Sequence, residues 1–374
     1  MANFPTSPGV ALNELDNTFI TGTPVKVGAA IIGPTVKGPV EIPTIVTSYS
    51  DYKNRFGGSF ISGSDTYSYL TSLAAYNYFV EGGESLLVAR VVSGSYTPAT
   101  SSIISNGLDA TSSSFSLETL SEGTIMNSDG TANSDGTLVN GTTDNIRWEI
   151  TAANTGSGTF NVLVRRGDDK TSDKIILESF NGVNLDPNST RYISKIIGDQ
   201  VVAYDSVLNQ TNISTGSYNN ASRYVRVKDV TPTPNYLNSS GTAVTAYTAS
   251  IPLNGTGSFS GAIGTIKGGA NFYDNIGAST QGLVEGNYTN MVDLLANVND
   301  YQFNILSTPG LTNDDHTSTV SSIITNTIQR GDNIYIVDTV GYQGTLADAV
   351  SQAASRNTSY AATYWPWLQV QDPE

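Results

Sequence analysis

Two hydrophobic patterns divide the chain. Val25 to Gly33 is an almost unbroken run of apolar and small residues, the pattern of a strand buried on both faces, and Leu86 to Val92 repeats it. Between them, Ser50 or Asp51 is placed to cap a short helix ending at Phe56-Gly57. Asp65 is placed to cap a longer one, with Tyr67, Leu70, Leu73, Ala74 and Tyr78 near helical spacing and Gly82-Gly83 as its stop. Tyr67, Tyr69, Tyr76 and Tyr78 read as packing residues.

From about residue 96 the texture changes, and residues 97–145 are rich in Ser, Thr, Gly and Asn. Ile146–Ile150, Phe160–Arg165, Ile175–Phe180 and Tyr224–Val227 alternate as strands, separated by stretches rich in Ser, Thr, Gly and Asn. The near-duplicates Asn127-Ser128-Asp129-Gly130-Thr131 and Asn133-Ser134-Asp135-Gly136-Thr137 carry turn chemistry. A calcium loop starting at Thr131 would need a carboxylate at its twelfth position and has Thr142 there. Asp186-Pro187 predicts a helix start at about 190.

From about 271, strands and helices alternate. Met291, Leu294, Leu295 and Val298 fit a helix face, and Phe303–Leu306 a strand ending at Pro309-Gly310. Asp314-Asp315 opens a helix that Gly331 stops. Ile334–Asp338, Leu346–Ala354 and Tyr360–Tyr364 then read as strand, helix and strand. Short links between them imply a parallel sheet covered on both faces. The predicted fold class is α/β and β-rich multidomain. Its parts are an extended N-terminal segment (1–24), a small N-terminal α/β unit (25–95), a β-rich insertion domain (96–270) and a partial parallel α/β domain (271–374).

Composition narrows the function classes. The chain has 374 residues and a formal net charge of −15, which disfavours binding to phosphate backbones. It has no cysteine, so disulfides and thiolate metal sites are excluded. No apolar run approaches the length of a membrane span, and the N-terminus does not read as a signal peptide. A soluble protein made in a cytoplasm is the expectation. No Walker loop or Gly-x-Ser-x-Gly elbow occurs. The single histidine, His316, is expected at the first turn of a helix rather than in a triad or metal site. Asp338, at a strand end, reads as structural for want of a partner.

The order of several passages points elsewhere. Ser7-Pro8-Gly9-Val10 is followed by Gly33-Pro34-Thr35-Val36-Lys37-Gly38-Pro39, then by Thr44-Ile45-Val46-Thr47-Ser48 with Phe56-Gly57. Gly82-Gly83 precedes Leu86-Leu87-Val88-Ala89-Arg90-Val91, and a second block runs Leu185-Asp186-Pro187 to Tyr192-Ile193-Ser194-Lys195. Taken together they resemble the tail sheath proteins of contractile bacteriophages. The resemblance implies a small N-terminal sheath unit, a β-rich outer insertion and a domain of subtilisin-like topology without protease chemistry. It implies a structural subunit of a virion, assembled in the bacterial host cytoplasm, with no cofactor. Its partners would be copies of itself in a lattice of stacked hexameric rings, an inner tail tube, and baseplate and terminator proteins, with no nucleic acid and no membrane insertion. Residues 1–24 would be a linking arm, with Ser7, Pro8, Gly9, Val10, Leu12 and Leu15 contacting another subunit. Family members continue beyond a Trp-Pro segment like Trp365-Pro366 into a C-terminal domain, so either a truncated chain or a system that supplies the remainder from elsewhere is expected. A phage-like injection system or bacteriocin fits the same passages. An α/β hydrolase built around His316 and a β-rich surface adhesin are the rival classes.

Overall fold

The computed structural model describes residues 27–370, apart from 109–110, 131, 270–271, 274–275 and 277–280. The apolar run forms β1 (Val27–Gly33), buried along nearly all its length. A loop leads to β2 (Thr44–Val46) and α1 (Tyr49–Phe56). The cap of α1 is Ser48, whose hydroxyl accepts from the Asp51 amide; Asp51 lies in the first turn, where its charge meets the helix dipole. The helix expected to begin at Asp65 is displaced. Residues 59–68 form a hairpin instead, β3 (Ser59–Ser62) and β4 (Asp65–Ser68), and α2 spans Leu70–Val80. Gly63 supplies a φ of 69° in the two-residue turn, and Phe60 stacks on Tyr67 across the pair at 5.8 Å. Turn geometry and an aromatic cross-strand pair outweigh the helical spacing of Tyr67. β5 (Leu86–Arg90) is buried throughout.

The section from about residue 96 supplies β6 (Pro98–Ser101) and β7 (Phe115–Glu122), strands in a stretch read as turns, and then β8 (Ile146–Asn154), β9 (Thr159–Arg166) and β10 (Ile176–Asn184). Then come α3 (Ile193–Ile197), the hairpin β11 (Val201–Asp205) and β12 (Gln210–Thr215), and β13 (Val225–Val230). The single turn α4 (Thr245–Thr248) precedes β14 (Gly255–Gly257) and β15 (Phe259–Ser260). Two four-stranded sheets, β10-β9-β8-β14 and β13-β7-β6-β15, bury one shared core. Phe115 of one sheet stacks on Phe160 of the other at 5.5 Å. The chain passes from sheet to sheet at Ser258, between β14 and β15.

The last third forms α5 (Thr289–Leu294), β16 (Phe303–Thr312), α6 (Thr317–Arg330), β17 (Ile334–Asp338), α7 (Leu346–Ala354) and β18 (Ala361–Ala362). Pro309-Gly310 does not end its strand. Gly310 has a φ of 94° and the register with β17 slips between Ser307 and Thr312, so the pair sits in a bulge where a missing amide is tolerated. Asp314 and Asp315 precede α6, which begins one residue after His316. Gly331 ends it in the left-handed conformation, its amide donating to the Thr327 carbonyl.

One six-stranded sheet, β18-β17-β16-β1-β5-β2, unites the two α/β stretches, and only β2 runs antiparallel to its neighbour. Ala29 of β1 is level with Leu86 on one side and Ile305 on the other. α1 and α2 cover one face, over Ala29, Ile31 and Val88; α5 and α6 cover the other, over Ala30, Ile32 and Leu87. The β-rich section thus leaves the sheet after β5 and returns before α5.

Candidate functional site

The residues with chemical potential are held by structural duties. His316 is buried at the N-cap of α6. Its Nδ1 accepts from the Thr312 amide at 3.0 Å, which leaves the proton on Nε2, facing the Ile276 carbonyl at 2.6 Å. Both ring nitrogens are therefore spent on backbone groups. The crevice at the carboxyl ends of β16 and β17 is where open α/β sheets bind ligands. Here Asn313 donates to Gln352 Oε1 at 2.7 Å and accepts from Arg356 Nε at 2.8 Å, while Arg356 Nη1 reaches Ser321 Oγ at 2.7 Å. These side chains satisfy one another across the crevice. Burial pushes the Asp338 carboxyl up to about 6. Among the described residues no group of three or more His, Asp or Glu side chains could hold a metal ion, and no helix is long and apolar enough to cross a membrane.

The tyrosines pack. Tyr67 and Tyr69 join Phe60 and Phe272 in one aromatic cluster, Tyr76 sets its edge on Tyr49, and Tyr78 donates to the Ser85 carbonyl. The second of the repeats forms a turn closed by Asn133 and Thr137, with Gly136 at a φ of 84°.

The junction between the large sheet and the β-rich section is built on the Gly33–Pro39 loop. Lys37, nearly buried, donates to the Asp144 carbonyl at 3.1 Å and lies 3.2 Å from its carboxylate. Burial lowers the pKa of that ammonium, and Asp144 opposes the shift. Arg90, wholly buried at the end of β5, donates through Nη1 to the carbonyls of Gly38 at 2.6 Å and Glu122 at 2.9 Å. Its guanidinium carbon lies 5.1 Å from the Tyr96 ring centre. Gly38 takes a φ of 112° against the Phe56 ring, a conformation and a closeness that only glycine permits. One loop thereby meets β5, α1 and the β-rich section. Sequence reading singled out this loop for its order and missed Lys37, Arg90, Glu122 and Asp144. The legible signal was Arg90 itself, a charge at the end of an otherwise apolar buried strand.

Two apolar surfaces are open. Around β18, the last strand of the sheet, Tyr342, Leu346 and Val350 before it and Tyr364, Trp365 and Leu368 after it are exposed, Leu368 to 81%. Trp367 anchors this segment through its indole N–H to the Val340 carbonyl at 2.9 Å. The second surface is a cleft beside the opposite edge strand, β2. The arm residues Ser7, Pro8, Gly9, Val10, Leu12 and Leu15 lie outside the described residues.

No family model matches the chain, and no curated protein matches it. Solved structures do. The sheath tail protein of Listeria innocua is 11% identical with a TM-score of 0.40, the match covering 86% of this chain and 49% of that one. The sheath tail protein of Desulfitobacterium hafniense is 12% identical with a TM-score of 0.35, covering 88% of this chain and 52% of that one. The chain spans about half the length of the solved structures it matches.

Proposed function

We propose that this chain is a structural subunit of a contractile tail sheath. In this reading copies polymerise around an inner tube in a lattice of stacked rings, and a shift to a shorter lattice drives the tube through a cell envelope. The observation that carries the proposal is the order of sequence passages from Ser7-Pro8-Gly9-Val10, through Gly33–Pro39 and Thr44–Ser48, to Leu86–Val91. Physical support comes from where three of them fall. They supply the loop at the junction, the edge strand β2 and its neighbour β5, and the loop and β5 hold the β-rich section to the sheet. A subunit braced in this way turns as one body, which contraction by rearrangement requires. The occupied ring nitrogens of His316 fit a mechanical role better than a hydrolytic one.

The proposed domains remain those read from the sequence, with the β-rich section facing outward and the two α/β stretches nearer the tube. Residues 1–24 act as a linking arm, Val10, Leu12 and Leu15 adding as a strand to another subunit. Tube, baseplate and terminator proteins are the proposed partners, and the virion tail the proposed location. Negative-stain microscopy of the purified protein, alone and with inner tube protein, tests the class. Tubes, rings or helical sheets are expected, and deletion of residues 1–20 should leave a folded protein that forms none. Dispersed monomers under both conditions would refute the reading.

A further inference from the structure

The cleft beside β2 has a volume of about 420 Å³ and lies between the large sheet and the β-rich section. Ile42, Pro43 and Ile45 line it from the β2 side, Leu120 and Tyr224 from the other, and Val27 joins them. Among the described residues β2 pairs with β5 alone, which leaves its second edge open to another strand. Arg55, Arg223 and Arg226 stand in the lining with Glu122 and Asp300. Glu118 engages Arg226, and Arg55 shares Asp51 with Arg223. Arg223, 61% exposed and 3.6 Å from that shared carboxylate, can accept a further anionic partner.

Covalent structure identifies the occupant. Val27 lines the cleft and is the residue to which 1–26 are joined. β2 lies two strands from β1, roughly 10 Å away, whereas residues 16–26 span up to about 35 Å when extended. Pro5 and Pro8 favour an extended backbone, Val10 and Leu12 alternate, and Glu14 and Asp16 carry the charge that Arg223 attracts. Tethering makes the local concentration of this segment on the order of millimolar. We propose that residues 7–16 of the same chain add to the free edge of β2 in the unassembled subunit and fill the cleft. The arm is then withheld from other copies until it is released, a consequence that, unlike the docking itself, rests on the sheath reading.

The chain has no cysteine, so Leu12→Cys with Ser121→Cys introduces a single pair for a short bismaleimide. The expected product is an intramolecular cross-link whose yield does not depend on protein concentration. The pair Leu12→Cys with Val350→Cys, its second site on α7, should give little. Cross-links that form only between copies, or equal yields from both pairs, would overturn the proposal. Hydrogen exchange gives a second readout in the full chain. Leu12→Asp with Leu15→Asp should speed exchange at residues 44–46 by about ten-fold or more, and unchanged protection would overturn the docking. An intramolecular cross-link in a protein that never forms tubes would refute the sheath reading while upholding the docking.

Discussion

Asp169→Asn removes one negative charge from a buried cluster in the β-rich section. The Asp169 side chain is 0% exposed, and those of Arg147 and Arg165 are 2% exposed. The carboxylate accepts from Arg165 Nε at 2.7 Å and Nη2 at 2.8 Å, from the Ile175 amide at 3.0 Å and from Arg147 Nη1 at 3.5 Å. The other carboxylate, Glu149, is shared by Arg165 at 3.0 Å and Lys174 at 2.7 Å. In the variant, Arg165 keeps Glu149 and the Lys170 carbonyl, while Arg147 keeps only neutral acceptors among the described residues, the Gly136 carbonyl and the Thr256 hydroxyl. Removing one member of a buried pair costs about 3–5 kcal/mol, because the remaining charge stays desolvated without compensation. At about 2–4 °C per kcal/mol for a unit of this size, the melting temperature should fall by roughly 6–20 °C. Asp168→Asn is the matched control. Its partner Arg166 is 35% exposed, so the loss there should stay below about 1 kcal/mol. Calorimetry and urea unfolding followed by near-ultraviolet circular dichroism measure both. Because Arg147 also donates to the Gly136 carbonyl at 2.6 Å, exchange in the 133–137 turn should quicken in the Asp169 variant. Equal stability of the two variants would refute the reasoning.

Further expectations concern the sheet and its junction. His316→Ala should cost about 1–3 kcal/mol by orphaning the Thr312 amide and the Ile276 carbonyl; no change in chemical unfolding would remove its structural role. Burial pushes the Glu122 carboxyl up to about 7, with Arg90 and Arg226 opposing the shift. The folded state therefore holds that proton more tightly than the unfolded chain, and ionisation costs stability above pH 7 that is recovered as pH falls from 7 toward the ordinary carboxylate range. Glu122→Gln should accordingly stabilise the protein by about 2 kcal/mol at pH 8 and by almost nothing at pH 4, which paired melts across that range will show. Gly38→Ala should destabilise by about 2 kcal/mol or more through its φ of 112° and the Phe56 ring; a neutral result would mean the loop repacks freely. Replacing residues 97–265 with a short Gly/Ser linker should leave the six-stranded sheet protected from exchange, and its unfolding would sink the proposed division into domains.

Much of the local structure was legible. Gly331 stopped α6 where its period ended, and Leu346–Ala354 is a helix with the bounds its apolar spacing predicts. The misplacements share a cause. Asp65 had a capping side chain and helical neighbours, but a hairpin turn at Gly63 and the Phe60–Tyr67 stack decided its state. Pro309-Gly310 looked like a strand end because a bulge needs a partner strand to define it.

The candidate site was less legible. Lys37 and Arg90 stood in the passages the sequence singled out, but their partners, Asp144 and the carbonyls of Gly38 and Glu122, were brought to them only by folding.

By itself, the sequence determined many of the strands and helices, the absence of thiol chemistry and the order of passages that suggests a sheath, because period, capping and composition act over a few neighbouring residues. Tertiary structure alone decided that β1 joins β5 to β16 across more than two hundred residues. It alone decided that two sheets close over one core at Ser258 and that Arg147, Arg165 and Asp169 are buried together. Strand pairing and ion-pair burial depend on groups brought together from distant parts of the chain, and no local pattern records which of them will meet.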